Sequence, residues 1–192
     1  GFDEPKNEEA FRQMNLNQKL FYHTVGTPQS ADTLIYKNDD EPKWGFWGEV
    51  SDDGKYLVVS IRQGTMRQFN ITLINLVDPS APSIDLMTGF KAIYGYVGNL
   101  GDTYYFFTDD SAPMNRVIAV DINNPAEENW QTAVPEQAET LNNISLVNGK
   151  FLATYLQDAK SILRVFDTQG NLVDEPAVPG MGTITGFGGS PD

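Results

Sequence analysis

The 192-residue sequence predicts an all-β chain built from repeated four-stranded sheets, and three observations carry that reading. A polar, glycine-containing turn followed by a short aromatic or β-branched run occurs three times, as SDDGKYLVVS (Ser51 to Ser60), NLGDTYYFFT (Asn99 to Thr108) and VNGKFLATYL (Val147 to Leu156). Its glycines, Gly54, Gly101 and Gly149, are 47 and 48 residues apart. Strands ending in Asn75 (TLIN), Asp121 (IAVD) and Asp167 (RVFD), each followed by turn-rich sequence, are spaced by 46 and 46. Long helical periodicity is absent, and Pro79, Pro82, Gly89, Gly95, Gly98, Pro125, Pro135 and Gly170 interrupt any long helix. A repeat of about 40–50 residues with four short strands is a β-propeller blade.

Each element follows from this period. A turn followed by alternating bulky residues is a hairpin entering a buried strand. Residues 1–16 read as an acidic linker or blade start, and 17–40 as the last strands of a blade, with strands at Phe21 to Val25 and Leu34 to Lys37. Three whole blades occupy 41–89, 90–139 and 140–180, and 181–192 starts another, with a strand at Thr183 to Phe187. The tail Gly189 to Asp192 matches Val50 to Asp53 three periods earlier, and one helical turn fits Pro125 to Trp130. The result is a partial propeller of three four-stranded blades plus parts of two more. Such an array does not close into a ring, so further blades or a partner are implied, and open blade edges favour self-association.

Composition bounds the functions. The chain has 40% apolar residues, with eleven Phe, eight Tyr and three Trp, and a net charge of −13. It is globular, and so acidic a surface repels phosphate backbones, which argues against nucleic acid. No apolar run approaches a membrane span, and the polar start is unlike a signal peptide, which leaves cytoplasm and periplasm both open. Without Cys there is no disulfide, thiolate metal site or Cys nucleophile.

The residues present do not compose a catalytic or metal centre. Ser190, in GGSPD, has Asp192 where a nucleophile elbow closes with Gly, and sits at a blade turn rather than before a helix. His23, the single histidine, reads as a packed or edge-strand residue in FYH; one His without Cys supplies neither a triad nor a zinc site. The pairs Asp39–Asp40, Asp52–Asp53 and Asp109–Asp110 lack calcium-loop spacing and read as solvated turns. The glycines of 180–189 have no strand–helix crossover, so they do not form a dinucleotide site. Asn70 and Asn143 head glycosylation-type triplets that arise often by chance. Trp44, Phe46, Trp47, Tyr94, Tyr96 and Tyr104 to Phe107 are expected between blades, where sheet packing needs bulky faces. No catalytic residue, metal or cofactor is expected.

Three stretches, QKLFYHTVGTPQSADTLIY (Gln18 to Tyr36), EPKWGFWGEVSDDGKYLVVSIRQG (Glu41 to Gly64) and ENWQTAVPEQ (Glu128 to Gln137), resemble the propeller of the prolyl oligopeptidase (prolyl endopeptidase) family. The resemblance implies a seven-bladed propeller seated on an α/β-hydrolase domain whose Ser-Asp-His triad cleaves short peptides after proline. That triad lies outside the matched span, so this chain is expected to be a lid that gates short proline-containing peptides. Its implied partners are a hydrolase domain and the remaining blades. The resemblance also points to substrate-binding residues. Arg62 stands at the family's SIR arginine, directly after the buried run Tyr56 to Ser60, where the chain is expected to leave the sheet. Thr65 stands where some relatives carry Cys, and Gly45 where an apolar Met is found, which reshapes the local wall; Phe46 or Trp47 is the candidate to fill it. The alternative reading is an independent propeller module that binds a peptide or protein partner, since fold does not determine function.

Overall fold

The computed structural model describes residues 1, 16–158, 160–177, 180, 182–184 and 186–192. The segment 1–16, expected as a linker or blade start, lies outside the described residues apart from Gly1 and Leu16. The described strands are β1 (Lys19–Tyr22), β2 (Thr33–Lys37), β3 (Trp44–Val50), β4 (Tyr56–Gln63), β5 (Asn70–Asn75), β6 (Ile84–Met87), β7 (Tyr94–Leu100), β8 (Thr103–Thr108), β9 (Arg116–Asp121), β10 (Gln131–Val134), β11 (Thr140–Val147), β12 (Lys150–Gln157), β13 (Lys160–Asp167) and β14 (Leu172–Asp174). They form an antiparallel pair, β1–β2, and three four-stranded antiparallel meanders, β3–β6, β7–β10 and β11–β14. This is the partial propeller that the repeat predicts.

Both sequence anchors have a structural cause. The three glycine turns join the first and second strands of each blade. The turn after β11 has two residues, Asn148 and Gly149, at φ 47° and 65°, the primed hairpin geometry that matches strand twist and that Asn-Gly adopts at least cost. The second anchor marks where the third strand of each blade stops. There the side chain of Asn75 accepts hydrogen bonds from Val77 N (2.9 Å) and Asp78 N (2.8 Å). Asp121 accepts one from Asn123 N (2.9 Å), and Asp167 accepts two, from Gln169 N (3.0 Å) and Asn171 N (2.8 Å). An Asx side chain thus ends each ladder by taking the amides that would have continued it. The single helical turn near Pro125 is present as a 3-10 turn at Glu127–Asn129.

Three apolar cores lie between the sheets. Because successive side chains of a strand point to opposite faces, one strand feeds two cores. In β4, Val58 faces the second blade and Val59 with Ile61 face the β1–β2 pair. In β8, Tyr104 and Phe106 pack against Val58, Ile71, Leu73 and Met87 of the first blade, whereas Tyr105 joins Leu146, Phe151 and Phe166 of the third. A polar stitch adds register: Asp52 N donates to Asn99 Oδ1 (2.9 Å), Asn99 N donates to Asp52 Oδ2 (3.1 Å), and the Tyr96 hydroxyl lies within 3.2 Å of the same carboxylate.

Three local expectations are corrected. The first strand ends at Tyr22 rather than Val25; the chain turns through Gly26 at φ 93°, and Val25 is 94% exposed. His23 therefore lies beyond the strand, exposed, its Nδ1 2.7 Å from Asp32 Oδ1 across the loop. No strand forms at the described residues of 183–187. They follow the third blade through isolated bonds, Ser161 N to Gly182 O and Ser145 Oγ to Phe187 O, and Gly186 at φ 86° leaves the extended conformation a ladder requires.

The double-sided burial of β8 gives a direct test. Phe106→Ala empties a fully buried site between two blades and should cost about 3–5 kcal/mol in urea unfolding. Val77→Ala, in an exposed turn, should stay within about 0.5 kcal/mol of the parent.

Candidate functional site

Arg62 sits inside the sheet, not after it: β4 continues to Gln63, and the chain leaves through the Gly64–Thr65 turn. The strand extends because Ile61 is buried and pairs with Asn70 while Arg62 pairs with Gly45 on the other side. Cross-strand pairing puts Gly45 directly opposite Arg62 and Trp47 opposite Ser60, so all four residues share one face.

Gly45 has no side chain to occupy its position. A Cβ there would lie 3.4 Å from Trp47 Cη2 and 3.4 Å from Gln18 Oε1. The indole of Trp47 lies back over this gap, and the Arg62 guanidinium stacks 4.8 Å from the ring centroid. Trp47 is 48% exposed and meets Phe69 edge-on at 6.4 Å; it is not an inter-blade core residue, contrary to expectation. Phe46 points the opposite way into the core, with its ring 5.0 Å from Tyr36. Of the two candidates to fill the wall beside Arg62, Trp47 does so. Gln18 holds the strand in place: its amide donates to Phe46 O (2.6 Å) and accepts from Phe46 N (3.0 Å).

Among the described residues Arg62 makes no hydrogen bond or ion pair, and its Nε is buried without a partner. Arg164, in the third blade, is the contrast. It donates from Nη1 to Glu139 (2.7 Å) and from Nε to Glu175 (2.8 Å), with its side chain 14% exposed and stacked 5.0 Å over Tyr155. The Arg164 guanidinium holds the Glu139 carboxyl below the usual carboxylate range. Burial pushes the Tyr155 hydroxyl up to about 12 against the opposing pull of Arg164.

Thr65 lies in the exposed turn and makes no hydrogen bond to the Arg62–Gly45 pair among the described residues. A cleft of about 720 Å³ opens near the same connection, lined by Arg67, Ile93, Phe107, Asp109 and Asn115 of the first two blades and by Leu141 of the third. Sequence reasoning missed this cleft, because its walls come from turns and strand ends of three blades. It also left open which aromatic residue joins Arg62. The available signal was Gly45-x-Trp47 on a strand opposite an arginine. Among the described residues no group of three or more His, Asp or Glu side chains is arranged to hold a metal ion.

The meanders and the face-shared Arg62 define a β-propeller-type domain whose blades present side chains at a strand end. The family described as the prolyl oligopeptidase N-terminal β-propeller domain matches residues 2–192, and the chain belongs to it. It is 36% identical over 188 residues to a prolyl endopeptidase of Elizabethkingia miricola, covering 98% of this chain and 26% of that protein. Prolyl oligopeptidase A of Galerina marginata is 36% identical over 163 residues, 82% of this chain and 22% of that one. Among solved structures, one from a mechanistic study of two prolyl endopeptidases superposes with TM-score 0.83 at 30% identity over 93% of this chain and 26% of the other. Apo prolyl oligopeptidase B of Galerina marginata shares the fold, with TM-score 0.80 at 24% identity over 89% of this chain and 25% of that one. The chain thus spans about a quarter of the length of the curated relatives it matches.

The Arg164 clamp gives a pH dependence of known sign. The folded Glu139 carboxyl has a lowered pKa, so its contribution is complete above the unfolded carboxylate value and is lost as pH falls through the lower folded value. Thermal melts of the parent and Arg164→Met should differ fully near neutral pH, with the parent higher. The gap should close as pH drops below about 4, where carboxylates protonate in the unfolded chain.

Proposed function

We propose that this chain is part of the propeller lid of a post-proline-cleaving serine peptidase, where it restricts a catalytic domain to short peptides. The match of the propeller family over residues 2–192 carries this reading. Its role is wall, charge and access rather than bond cleavage. Sheets packed through continuous apolar cores make a stiff wall, because close-packed interiors resist deformation. Such a wall excludes folded proteins and admits extended chains.

Arg62 is the substrate-contacting residue in this reading, holding the peptide upstream of the scissile bond. Its guanidinium stays charged when partly enclosed and presents several donors in a fixed plane. Gly45 and Trp47 shape the wall beside it, and Thr65 borders the turn that follows. The expected partners are an α/β-hydrolase domain and short proline-containing peptides.

Two measurements check the proposal. The purified chain alone should hydrolyse a proline-containing reporter peptide at background rate, and turnover that survives repurification and is blocked by a serine-directed reagent would refute it. In the full-length peptidase, Arg62→Ala should raise KM for peptides extended upstream of proline about tenfold more than for minimal ones, as expected for loss of a charged hydrogen bond. Equal effects on both lengths would remove Arg62 from the site.

A further inference from the structure

The chain contains the same arginine–aromatic arrangement twice, once complete and once open. In the first blade, Arg62 on β4 faces Gly45 on β3, and Trp47 lies two residues further along β3. In the third blade, Arg164 on β13 faces Ala153 on β12, and Tyr155 lies two residues further along β12. In both, a small residue opposite the arginine lets the diagonal ring reach the guanidinium, at 4.8 Å from Trp47 and 5.0 Å from Tyr155. A guanidinium held flat on a ring keeps its N–H donors in the plane of the fork, where planar acceptors approach.

The two sites differ in what fills the fork. At Arg164 it is filled by carboxylate oxygens of Glu139 and Glu175. At Arg62 no hydrogen bond or ion pair forms among the described residues, and the Nε, like that of Arg116, is buried and unpartnered. The Nε lies too deep for an arriving group, but the outer Nη donors are not buried and make no hydrogen bond among the described residues, so an acceptor that arrives can pair with them. Trp47 is half-exposed and Arg62 itself is partly exposed.

We infer that Arg62 and Trp47 form a receiving site for a carboxylate, and that the occupant is an acidic side chain of the peptide substrate, upstream of the proline. The completed site in the third blade identifies carboxylate as the matching chemistry, and the pairing is the stronger for both partners being charged. Trp47 acts as a positioning residue: it fixes the plane of the fork and does not itself bond the ligand. The inference rests on the lid reading above and names the substrate class that this lid favours.

The test compares peptides carrying Glu or Gln at the second, third or fourth residue before proline, using the full-length peptidase. The Glu/Gln ratio of kcat/KM should reach about tenfold at one placement and decline between low and high salt, as a partly exposed ion pair does. Arg62→Gln should bring the ratio to about one. Trp47→Leu should lower it severalfold, and Trp47→Tyr, which keeps a ring under the guanidinium, should restore most of it. Thermal melts establish that each variant is folded. Turnover with a Glu/Gln ratio near one at every placement overturns the inference and leaves the lid reading standing. A ratio unchanged by Arg62→Gln assigns the preference elsewhere and also overturns it. Failure of the unsubstituted protein to cleave any of these peptides removes the lid reading and this inference together.

Discussion

Everything in this chain depends on the pressing together of sheet faces. No blade holds an apolar core of its own: each core is shared between neighbouring sheets, and the middle strands are buried on both sides. Val58 and Val59 are adjacent in sequence and lie in different cores, as do Tyr104 and Tyr105. Burial of apolar area is the main favourable contribution, so the blades stabilise one another rather than themselves. This is the behaviour of repeat architectures, whose units rely on nearest-neighbour interfaces.

Polar groups then set where each ladder begins and ends. The Asx caps at Asn75, Asp121 and Asp167 remove the amides that would prolong the third strand, and the reciprocal Asp52–Asn99 bonds align the first two blades. The many acidic residues are therefore not a uniform solvated coat. Asp109 accepts the Ile93 amide at 2.7 Å, and Asp53 is held below its usual pKa, its hydrogen bonds from Ser51 and Lys55 outweighing desolvation. Some cations are paired by this acidity, at Lys37, Lys55 and Lys91, with Arg164 as the fullest case. Arg62 differs from Arg164 in lacking any carboxylate partner among the described residues while sharing its stack on a ring.

The stack at Arg62 shows how a sheet prepares such a residue. A side chain at Gly45 that reaches beyond a Cβ would meet the indole, which already lies 3.4 Å from that position, and without the indole the guanidinium has no platform. Small residue, ring and arginine thus operate as one unit, set by register. The equivalent unit at Ala153, Tyr155 and Arg164 serves stability, because Glu139 and Glu175 reach it from flanking segments. The same local geometry is structural in one blade and available to a ligand in another, depending on whether the chain supplies the acceptors.

The sequence by itself determined the all-β class, the blade period, the turns at Gly54, Gly101 and Gly149, and the strand ends at Asn75, Asp121 and Asp167. Those features rest on local chemistry: glycine's left-handed backbone, Asx side chains that cap, and the two-residue alternation of strands. It also pointed to Gly45 and Arg62, and the structure sets them opposite each other. Tertiary structure alone decided that Trp47 rather than Phe46 fills the wall, since that depends on which face of β3 meets which core. It also decided that β4 carries Arg62 within the sheet, that His23 pairs with Asp32 outside β1, and that Gly186 leaves 183–187 without a strand. It alone showed that Arg164 is paired with two carboxylates while Arg62 has none among the described residues. Acceptors for a guanidinium come from segments far apart in sequence, and only the packed blades bring them within reach or leave them absent.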